Sequence, residues 1–165
     1  MSWLVTWDEA VADAVDAALD GVLKNAPRGT EIAGTLASSG RCVLVDDEQQ
    51  ALAVVDAISP EHLQLMVDAP ENLAERVRNA GAVFLGPWTP TSIGDYVAGP
   101  SHVLPTAGTA RFAGALTVAD FTKDVNLVTA DPDALRRLGP HVEALAVAEG
   151  LEAHAESIRV RRQHG

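Results

Sequence analysis

The chain has 165 residues, 47% of them hydrophobic, which is enough for the core of one domain, alone or with an appendage. A formal net charge of -11 repels phosphate backbones and argues against a nucleic-acid partner. The sequence has no apolar run as long as a membrane span and no signal-peptide pattern at its start, so we expect no membrane association. Its one dense basic run, over residues 159–162, is typical of a solvated helix or strand end.

The single cysteine, Cys42, excludes an internal disulfide bond and fits the reducing environment of the cytoplasm. Residues 41–45 form an apolar run that predicts a buried strand. Because Cys42 lies in this run, we expect it to be a small core residue rather than a nucleophile.

Short apolar runs alternate with helical stretches over the first part of the chain, which predicts an α/β layer structure. A strand is expected over residues 4–6, and Asp8 then suits the N-cap of a helix. The apolar stripe of that helix is Val11, Val15, Leu19 and Val22. The other predicted elements are, in order, a helix over 30–39 before Gly40, the strand over 41–45, a helix capped by Asp46 or Asp47 and ended by Pro60, a strand over 62–66 with Leu63 and Leu65 on one face, a helix from Pro70 to about residue 80, and a strand over 83–85.

Residues 86–114 differ from the rest, since they are rich in Gly, Pro, Ser and Thr and hold few periodic apolar positions. A long irregular segment in a compact protein is usually functional or disordered. Four side chains that we expect to be buried favour function here: Trp88, Tyr96, Val103 and Leu104. From residue 117 the pattern turns mostly helical, with Pro132 and Pro140 each at a possible helix start.

The predicted fold class is therefore α/β, with an incomplete Rossmann-like layered sheet followed by a mostly helical C-terminal arm. We place the α/β portion at residues 1–116 and the arm at residues 117–165. The arm has too little apolar surface to stand as an independent domain, so we expect it to pack on the rest of the chain or on another chain.

His62 is the first candidate for chemistry, because it follows Glu61 at a predicted strand start. A carboxylate beside an imidazole can tune a general base near neutral pH. Adjacent residues on a strand point to opposite faces, so the two share a site only if the junction is irregular. The alternative is an exposed Glu-His pair in a loop. Two other histidines, His141 and His164, are expected to be surface residues or satisfied core residues.

Asp95 and His102 lie in the irregular segment, and loops on a rigid scaffold commonly carry function. Their side chains suit zinc, although an Asp after a Gly is also typical of a turn. Glu149 and His154 lie close together in the arm, where they indicate either a site edge or a solvated helix end. The sequence has no HExxH, CxxC, GxGxxG or GxxxxGK[ST] pattern, so spacing alone identifies neither a metal site nor a phosphate site.

Several strings of this sequence resemble signatures of the histidinol dehydrogenases. They are PEHL at 60–63, FLGPWTP at 84–90, GDYVAGPSHVLPT at 94–106, GTARF at 108–112, and AEGL at 148–151 followed by His154. They come in the family's order and spacing and cover nearly the whole chain. The resemblance implies an enzyme of histidine biosynthesis that oxidises L-histidinol to L-histidine, through the aldehyde, in two NAD-dependent steps.

The resemblance also implies roles for individual residues. Glu61 and His62 match the acid/base pair, in which His62 takes the alcohol proton and Glu61 helps to activate the water that attacks the aldehyde. Asp95 matches a zinc ligand, and His154 matches another, which family members donate across a homodimer from the partner's C-terminal arm. The implied substrate-binding residues are His62, Asp95, His102, Glu149 and His154.

Members of this family are well over twice as long as this chain. The resemblance places their other two zinc ligands and their nucleotide-binding segments upstream of Met1, so we expect a C-terminal portion that is inactive alone and has no residue assigned to NAD. Two alternatives stay open. One is a relative that oxidises another small alcohol, since serines common in the family are absent near residues 113–115. The other is a non-catalytic dimerisation or regulatory fragment.

An inherited site also makes a geometric demand on the structure. Four side chains should line one cleft at the ends of the strands, where α/β sheets usually bind ligands: Glu61, His62, Asp95 and His102. A structure with His62 and Asp95 on opposite faces would exclude such a site.

Overall fold

The computed structural model describes residues 1–164, without the side chain of His164. Its helices and strands are, in order, β1 (Ser2–Thr6), α1 (Glu9–Asn25), α2 (Gly29–Ser39), β2 (Gly40–Leu44), α3 (Glu48–Ile58), β3 (His62–Leu65), α4 (Pro70–Ala74), β4 (Ala82–Leu85), α5 (Thr91–Tyr96), two 3-10 turns (Thr109–Arg111 and Val118–Phe121), α6 (Pro132–Ala148) and α7 (Glu152–His164). The chain folds into two compact units, of which the first is Met1–Phe121 and the second begins at Thr122. None of the helices in the described part of the chain is long and apolar enough to cross a membrane.

Strands β1 and β2 pair in parallel, with Leu4 opposite Cys42, and the chain between them forms α1 and α2. Asp8 is the N-cap of α1, as predicted, and its carboxylate accepts a hydrogen bond from the first turn. The predicted burial of this region is wrong, because Cys42 is exposed and so are Val11 and Val22 of the α1 stripe. Parallel strands become buried only where other elements cover both faces, and the described residues cover this pair only in part.

Strands β3 and β4 form a second parallel pair, and one of its faces packs on the hydrophobic core of the first unit. Leu63 and Leu65 share this face, as predicted, and contact a cluster that includes Leu52 of α3 and Leu73 of α4. Removing these side chains from water is the main stabilising contribution that this pair of strands receives.

The opposite face of the β3–β4 pair carries polar and aromatic side chains. His62 lies opposite Ala82 and Gln64 lies opposite Phe84. Because side chains alternate along a strand, His62, Gln64 and Phe84 all project from this face. The Gln64 amide donates to the carbonyl oxygen of Gly86 at 3.3 Å, which ties β3 to the chain leaving β4.

Helix α3 begins and ends at signals that the sequence contains. The Asp47 carboxylate accepts a hydrogen bond from the Gln50 N–H at 2.8 Å, which makes Asp47 the N-cap. The Gln50 side chain accepts in return from the Asp46 N–H at 3.1 Å, an arrangement similar to a capping box. Ser59 ends the helix with a φ of 51°, immediately before Pro60, as predicted.

The helix that begins at Pro70 is shorter than predicted, since it ends at Ala74. The Asp56 carboxylate of α3 accepts hydrogen bonds from the N–H groups of Arg78 and Asn79, at 3.1 and 3.2 Å. These N–H groups would otherwise bond within the helix. A tertiary contact with Asp56 therefore replaces the last turns that the sequence pattern predicts.

The irregular segment over 86–114 exposes most of its large apolar side chains, which contradicts the prediction that they are buried. Trp88 is 89% exposed, Tyr96 and Val103 are exposed as well, and Leu104 is half-buried. Small residues instead make the close contacts between this segment and the rest of the first unit: Gly94, Pro105 and Ala110. Periodicity and size in the sequence could not distinguish these two groups of residues.

The chain after residue 117 is at first less helical than predicted, since α6 begins only at Pro132. The N–H and hydroxyl of Thr117 donate to the Asp120 carboxylate at 2.6 and 3.0 Å. These hydrogen bonds lower the pKa of Asp120 below its ordinary value. These hydrogen bonds therefore stabilise the turn fully when the pH is above the ordinary carboxyl pKa. They are lost as the pH falls through the lowered pKa of Asp120.

Helices α6 and α7 pack together in the second unit. Pro132 begins α6, as predicted, but Pro140 lies inside the helix rather than at a helix start. Pro140 has no N–H to donate to the preceding turn, so α6 lacks one backbone hydrogen bond there. A Cβ at Gly139 would lie 2.5 Å from Cδ of Arg162, so the two helices approach closely here. The Glu143 carboxylate accepts from Arg162 at 2.6 Å, so the basic run is partly paired rather than wholly solvated.

Candidate functional site

The site begins at the start of β3, where the neighbouring strand fixes the backbone of Glu61 and His62. The carbonyl oxygens of Pro60 and Glu61 accept hydrogen bonds from the N–H groups of Gly81 and Ala82, each at 2.9 Å. Glycine is required at position 81, because a Cβ there would lie 2.6 Å from the Glu61 carbonyl oxygen. The chain before β4 thus holds Glu61 and His62 in place through its backbone.

The imidazole of His62 lies between two carboxylates. Its Nδ1 atom is 4.0 Å from Oε1 of Glu61, and its Nε2 atom is 3.5 Å from Oδ1 of Asp95. The side chain of His62 is 28% exposed, less than either carboxylate. Adjacent residues in a regular strand would point to opposite faces, so the irregular junction before β3 is what brings Glu61 and His62 into one site.

The Nε2 atom of His62 is buried and has no hydrogen-bond partner in the described part of the chain. The Asp95 carboxylate is near enough for an ion pair with a protonated imidazole, but 3.5 Å is longer than a normal hydrogen bond. We therefore treat the contact as electrostatic and the nitrogen as unsatisfied. A buried polar atom of this kind can still accept or donate a proton.

Asp95 reaches the site from helix α5, which packs against β3. The loop after α5 brings His102 to the same place, with its Nδ1 atom 3.2 Å from the carbonyl oxygen of Asp95. The structure thus brings together Glu61, His62, Asp95 and His102. Only Asp95 and His102 line the pocket beside them, so the prediction that all four line one cleft is confirmed only in part. Their individual roles stay predictions.

The site lies at a different end of the sheet from the one expected. His62 is the first residue of β3, so the site forms at the amino end of this strand rather than at the carboxyl ends. The reason is that α5 follows β4 but folds back over the sheet, which carries Asp95 to the start of β3. An open pocket of about 310 Å³ lies beside these residues, and its walls include Tyr96, Ser101 and His102.

The other predicted site residues lie in the second unit. Glu149 follows the last residue of α6, and His154 lies in the first turn of α7 with an exposed side chain. The backbone carbonyl oxygen of His154 accepts a hydrogen bond from the Ser157 hydroxyl at 2.7 Å, and this contact does not involve the imidazole. His141 is exposed on α6, which is one of the two expected environments, whereas the side chain of His164 is outside the described residues.

Zinc needs more ligands than either unit supplies. Catalytic zinc sites typically have three ligands from protein and one open position. Among residues 1–164, no three His, Cys, Asp or Glu side chains are grouped so as to hold a metal ion. The carboxylate of Asp95 and the imidazole of His154 have suitable chemistry, but their number is too small. The proton transfers proposed for this chain do not depend on a metal.

Two further residues contact the site and were not among the sequence candidates. The ring of Phe84 stacks on the His62 imidazole, with 5.9 Å between ring centroids and an interplanar angle of 27°. Gly94 also lies close to the Phe84 ring, since a Cβ at position 94 would be 2.6 Å from its Cε1 and Cζ atoms. Both residues lie in the strings that resemble family signatures, but their contact depends on the register of β3 with β4, which the sequence does not specify.

This α/β unit holds an imidazole between two carboxylates, one of which, that of Asp95, lines an open pocket, and such a group of side chains is chemically suited to proton transfer. The chain belongs to the histidinol dehydrogenase family, because the family model described as histidinol dehydrogenase matches residues 1–162.

Individual relatives agree with this assignment. The chain is 48% identical over 160 residues to a histidinol dehydrogenase of Cereibacter sphaeroides, covering 97% of this chain and 37% of that protein. It is 48% identical over 164 residues to one of Caulobacter vibrioides, covering 99% of this chain and 38% of that protein. The crystal structure of histidinol dehydrogenase from Elizabethkingia anophelis matches with a TM-score of 0.86 and 31% identity, over 98% of this chain and 37% of that chain. This chain therefore spans less than two fifths of the length of these relatives.

Proposed function

We propose that this chain is the C-terminal portion of a cytoplasmic, NAD-dependent and zinc-binding L-histidinol dehydrogenase of histidine biosynthesis. One observation carries the proposal: the His62 imidazole lies between the carboxylates of Glu61 and Asp95, with its Nε2 atom buried and without a hydrogen bond. Folded proteins satisfy most buried polar atoms, and a catalytic role is one established reason for an unsatisfied one. The acid/base signature of the family falls on the same pair of residues.

In the first oxidation, His62 takes the proton of the histidinol hydroxyl as a general base. NAD, when bound, would accept a hydride from the carbon that carries this hydroxyl, so the products would be the aldehyde, NADH and a protonated imidazole. The carboxylates of Glu61 and Asp95 face the positive charge that develops on the ring. A general base typically contributes about 10²–10⁴-fold to the rate of such a step.

In the second oxidation, water adds to the aldehyde carbon. Glu61 is the more accessible member of the pair, with 41% of its side chain exposed, and it helps to activate this water. The resulting hydrate would lose a hydride to a second NAD, when bound, and two protons, one to the base and one to the solvent. The product is the carboxylate of L-histidine, so one water and two NAD are consumed in all.

Zinc, when bound, would orient the imidazole and amine of histidinol rather than act on the reacting carbon. We propose Asp95 and His154 as two of its ligands, with His154 supplied by the partner of a homodimer. The exposed side chain of His154 supports donation to another chain. His102 and Glu149 would contact the substrate, as would His62.

The shared zinc site can be tested by mixing variants. The test uses a reconstituted enzyme, in which this chain is fused behind the part of the Cereibacter sphaeroides relative that it does not match. We expect Asp95→Ala and His154→Ala forms each to lose most of their zinc on dialysis. In a refolded equal mixture, half of the dimers are mixed and each of these has one site with both ligands intact, so zinc returns to about one quarter of the sites.

The two variants refolded separately serve as controls and should stay nearly free of zinc. If His154 served the site of its own chain, every site in the mixture would lack one ligand. A mixture that binds no more zinc than the separate variants would therefore contradict the proposal that the ligand crosses the dimer.

A non-catalytic role in dimerisation or regulation is the second candidate. The absence of a three-donor metal group among the described residues favours it for this chain alone. A relative that oxidises another small alcohol would keep the same base and differ in the pocket. Activity of the reconstituted enzyme with histidinol, compared with other amino alcohols, separates these candidates from the proposed function.

We also propose that the two strand pairs belong to a larger Rossmann-like sheet in the full-length family members. Each described pair is parallel, and each crossover between paired strands contains helix. All-parallel sheets are normally covered on both faces, which the exposed strand β2 is not. The remaining length of the relatives is sufficient to supply such cover.

A further inference from the structure

We propose that Phe84 is a positioning residue that fixes the orientation of the His62 imidazole, and that Gly94 is the residue that keeps Phe84 in place. The proposal rests on the proposed role of His62 as general base. It goes beyond that role by assigning the device that aims the ring.

Hydrogen bonds do not orient this imidazole. The Nε2 atom has no hydrogen-bond partner in the described chain, and Nδ1 is 4.0 Å from the nearest Glu61 carboxylate oxygen. Catalytic histidines are commonly oriented by a hydrogen bond at the second ring nitrogen. At His62 we assign that function to packing.

The packing partner is Phe84, which is only 7% exposed. Its ring stacks on His62 with 5.9 Å between centroids and 27° between the planes. His62 pairs with Ala82, so Phe84 is its diagonal neighbour on the adjacent strand. Diagonal neighbours are within reach of each other when one of them is aromatic. The strand register therefore sets the plane of the imidazole.

Gly94 holds Phe84 from the side of α5. A Cβ at position 94 would lie 2.6 Å from both Cε1 and Cζ of Phe84, which is too close for any side chain. Phe84 is thus confined between Gly94 and His62. The residue after Gly94 is Asp95, whose carboxylate faces Nε2 of His62. The Phe84 ring therefore sets both the plane of the His62 imidazole and the distance of this imidazole from Asp95.

The test combines a spectroscopic and a kinetic readout. The ring-proton signals of His62 in the labelled 165-residue chain are identified as those lost on His62→Asn. Phe84→Leu keeps the site apolar but removes the aromatic ring, so we expect the His62 signals to lose their ring-current shift. In the reconstituted enzyme we expect kcat to fall by about tenfold to a hundredfold, with little change in KM, since a misplacement of about 1 Å can have this effect. Gly94→Ala should shift the same signals and lower kcat in the same way.

Leu85→Ala is the matched control, because Leu85 lies next to Phe84 on β4 but packs on the core at the opposite face. It should lower thermal stability and leave the His62 signals where they are. His62 signals unmoved by Phe84→Leu would overturn the proposal, and so would moved signals with the kcat of the unmodified enzyme. If His62→Asn itself has no effect on turnover, the proposed function fails instead, and the spectra still decide whether Phe84 orients the ring.

Discussion

Replacing His62 by asparagine should lower NADH formation from L-histidinol by about 10²–10⁴-fold in the reconstituted enzyme. Asparagine has a similar size and keeps a polar side chain, but it cannot take up a proton near neutral pH. The loss should appear mainly in kcat, because His62 acts on the reacting hydroxyl while other residues bind the substrate. Initial rates of NADH absorbance over a range of histidinol concentrations measure both parameters.

The same substitution at an exposed histidine provides the control. His141 lies on the surface of α6 and is outside the site, so His141→Asn should keep turnover near that of the unmodified enzyme. Thermal unfolding of both variants shows whether each remains folded. A His62→Asn enzyme that retains its fold and its turnover would remove the acid/base assignment.

Replacing Leu65 by alanine should lower the free energy of unfolding of the first unit by about 2–5 kcal/mol. Leu65 is 6% exposed and contacts Leu52 and Leu73 in the core cluster. Truncating it removes buried apolar atoms and leaves a cavity that these neighbours can fill only in part. Because whole domains are typically stable by about 5–15 kcal/mol, this loss is a substantial fraction of the total. Urea titration followed by circular dichroism measures the change.

The neighbouring residue Met66 is the natural comparison, since it follows Leu65 directly but is 62% exposed. Met66→Ala should change the free energy of unfolding by no more than about 0.5 kcal/mol. Equal effects of the two substitutions would show that the β3–β4 pair does not pack on the core through its Leu63 and Leu65 face.

Local signals in the sequence predicted much of the secondary structure. Asp8 and Asp47 mark helix starts because their carboxylates bond the N–H groups of the first turn, which is a contact within a few residues. The stop before Pro60 is local for the same reason. The alternation of Leu63 and Leu65 also follows from strand geometry alone.

Contacts between distant residues decided the features that the sequence did not predict. Helix α4 ends early because Asp56 of α3 bonds the N–H groups of Arg78 and Asn79, more than twenty positions away. Trp88 looks like a core residue by composition, yet Gly94 is what attaches the loop to the unit. A small residue that permits close approach carries no hydrophobic signal.

In the candidate site as well, the sequence identified some features, whereas contacts between distant residues decided others. Resemblance to family strings identified Glu61, His62, Asp95 and His102, and the structure brings them together. The role of Phe84 depends on which residues of two strands lie opposite each other, and the position of the site at the amino end of β3 depends on how α5 folds back. Neither feature can be derived from a linear pattern.

The most direct test of the whole account is NADH formation from L-histidinol by the 165-residue chain alone and by the reconstituted enzyme. Both are assayed with NAD and zinc under the same conditions. The chain alone has two proposed zinc ligands, Asp95 and His154, and no residue assigned to NAD, so we expect no NADH. The reconstituted enzyme should form NADH, and its His62→Asn form should do so about 10²–10⁴-fold more slowly. Clear NADH formation by the 165-residue chain alone, or equal turnover of the reconstituted enzyme with and without His62, would contradict the account.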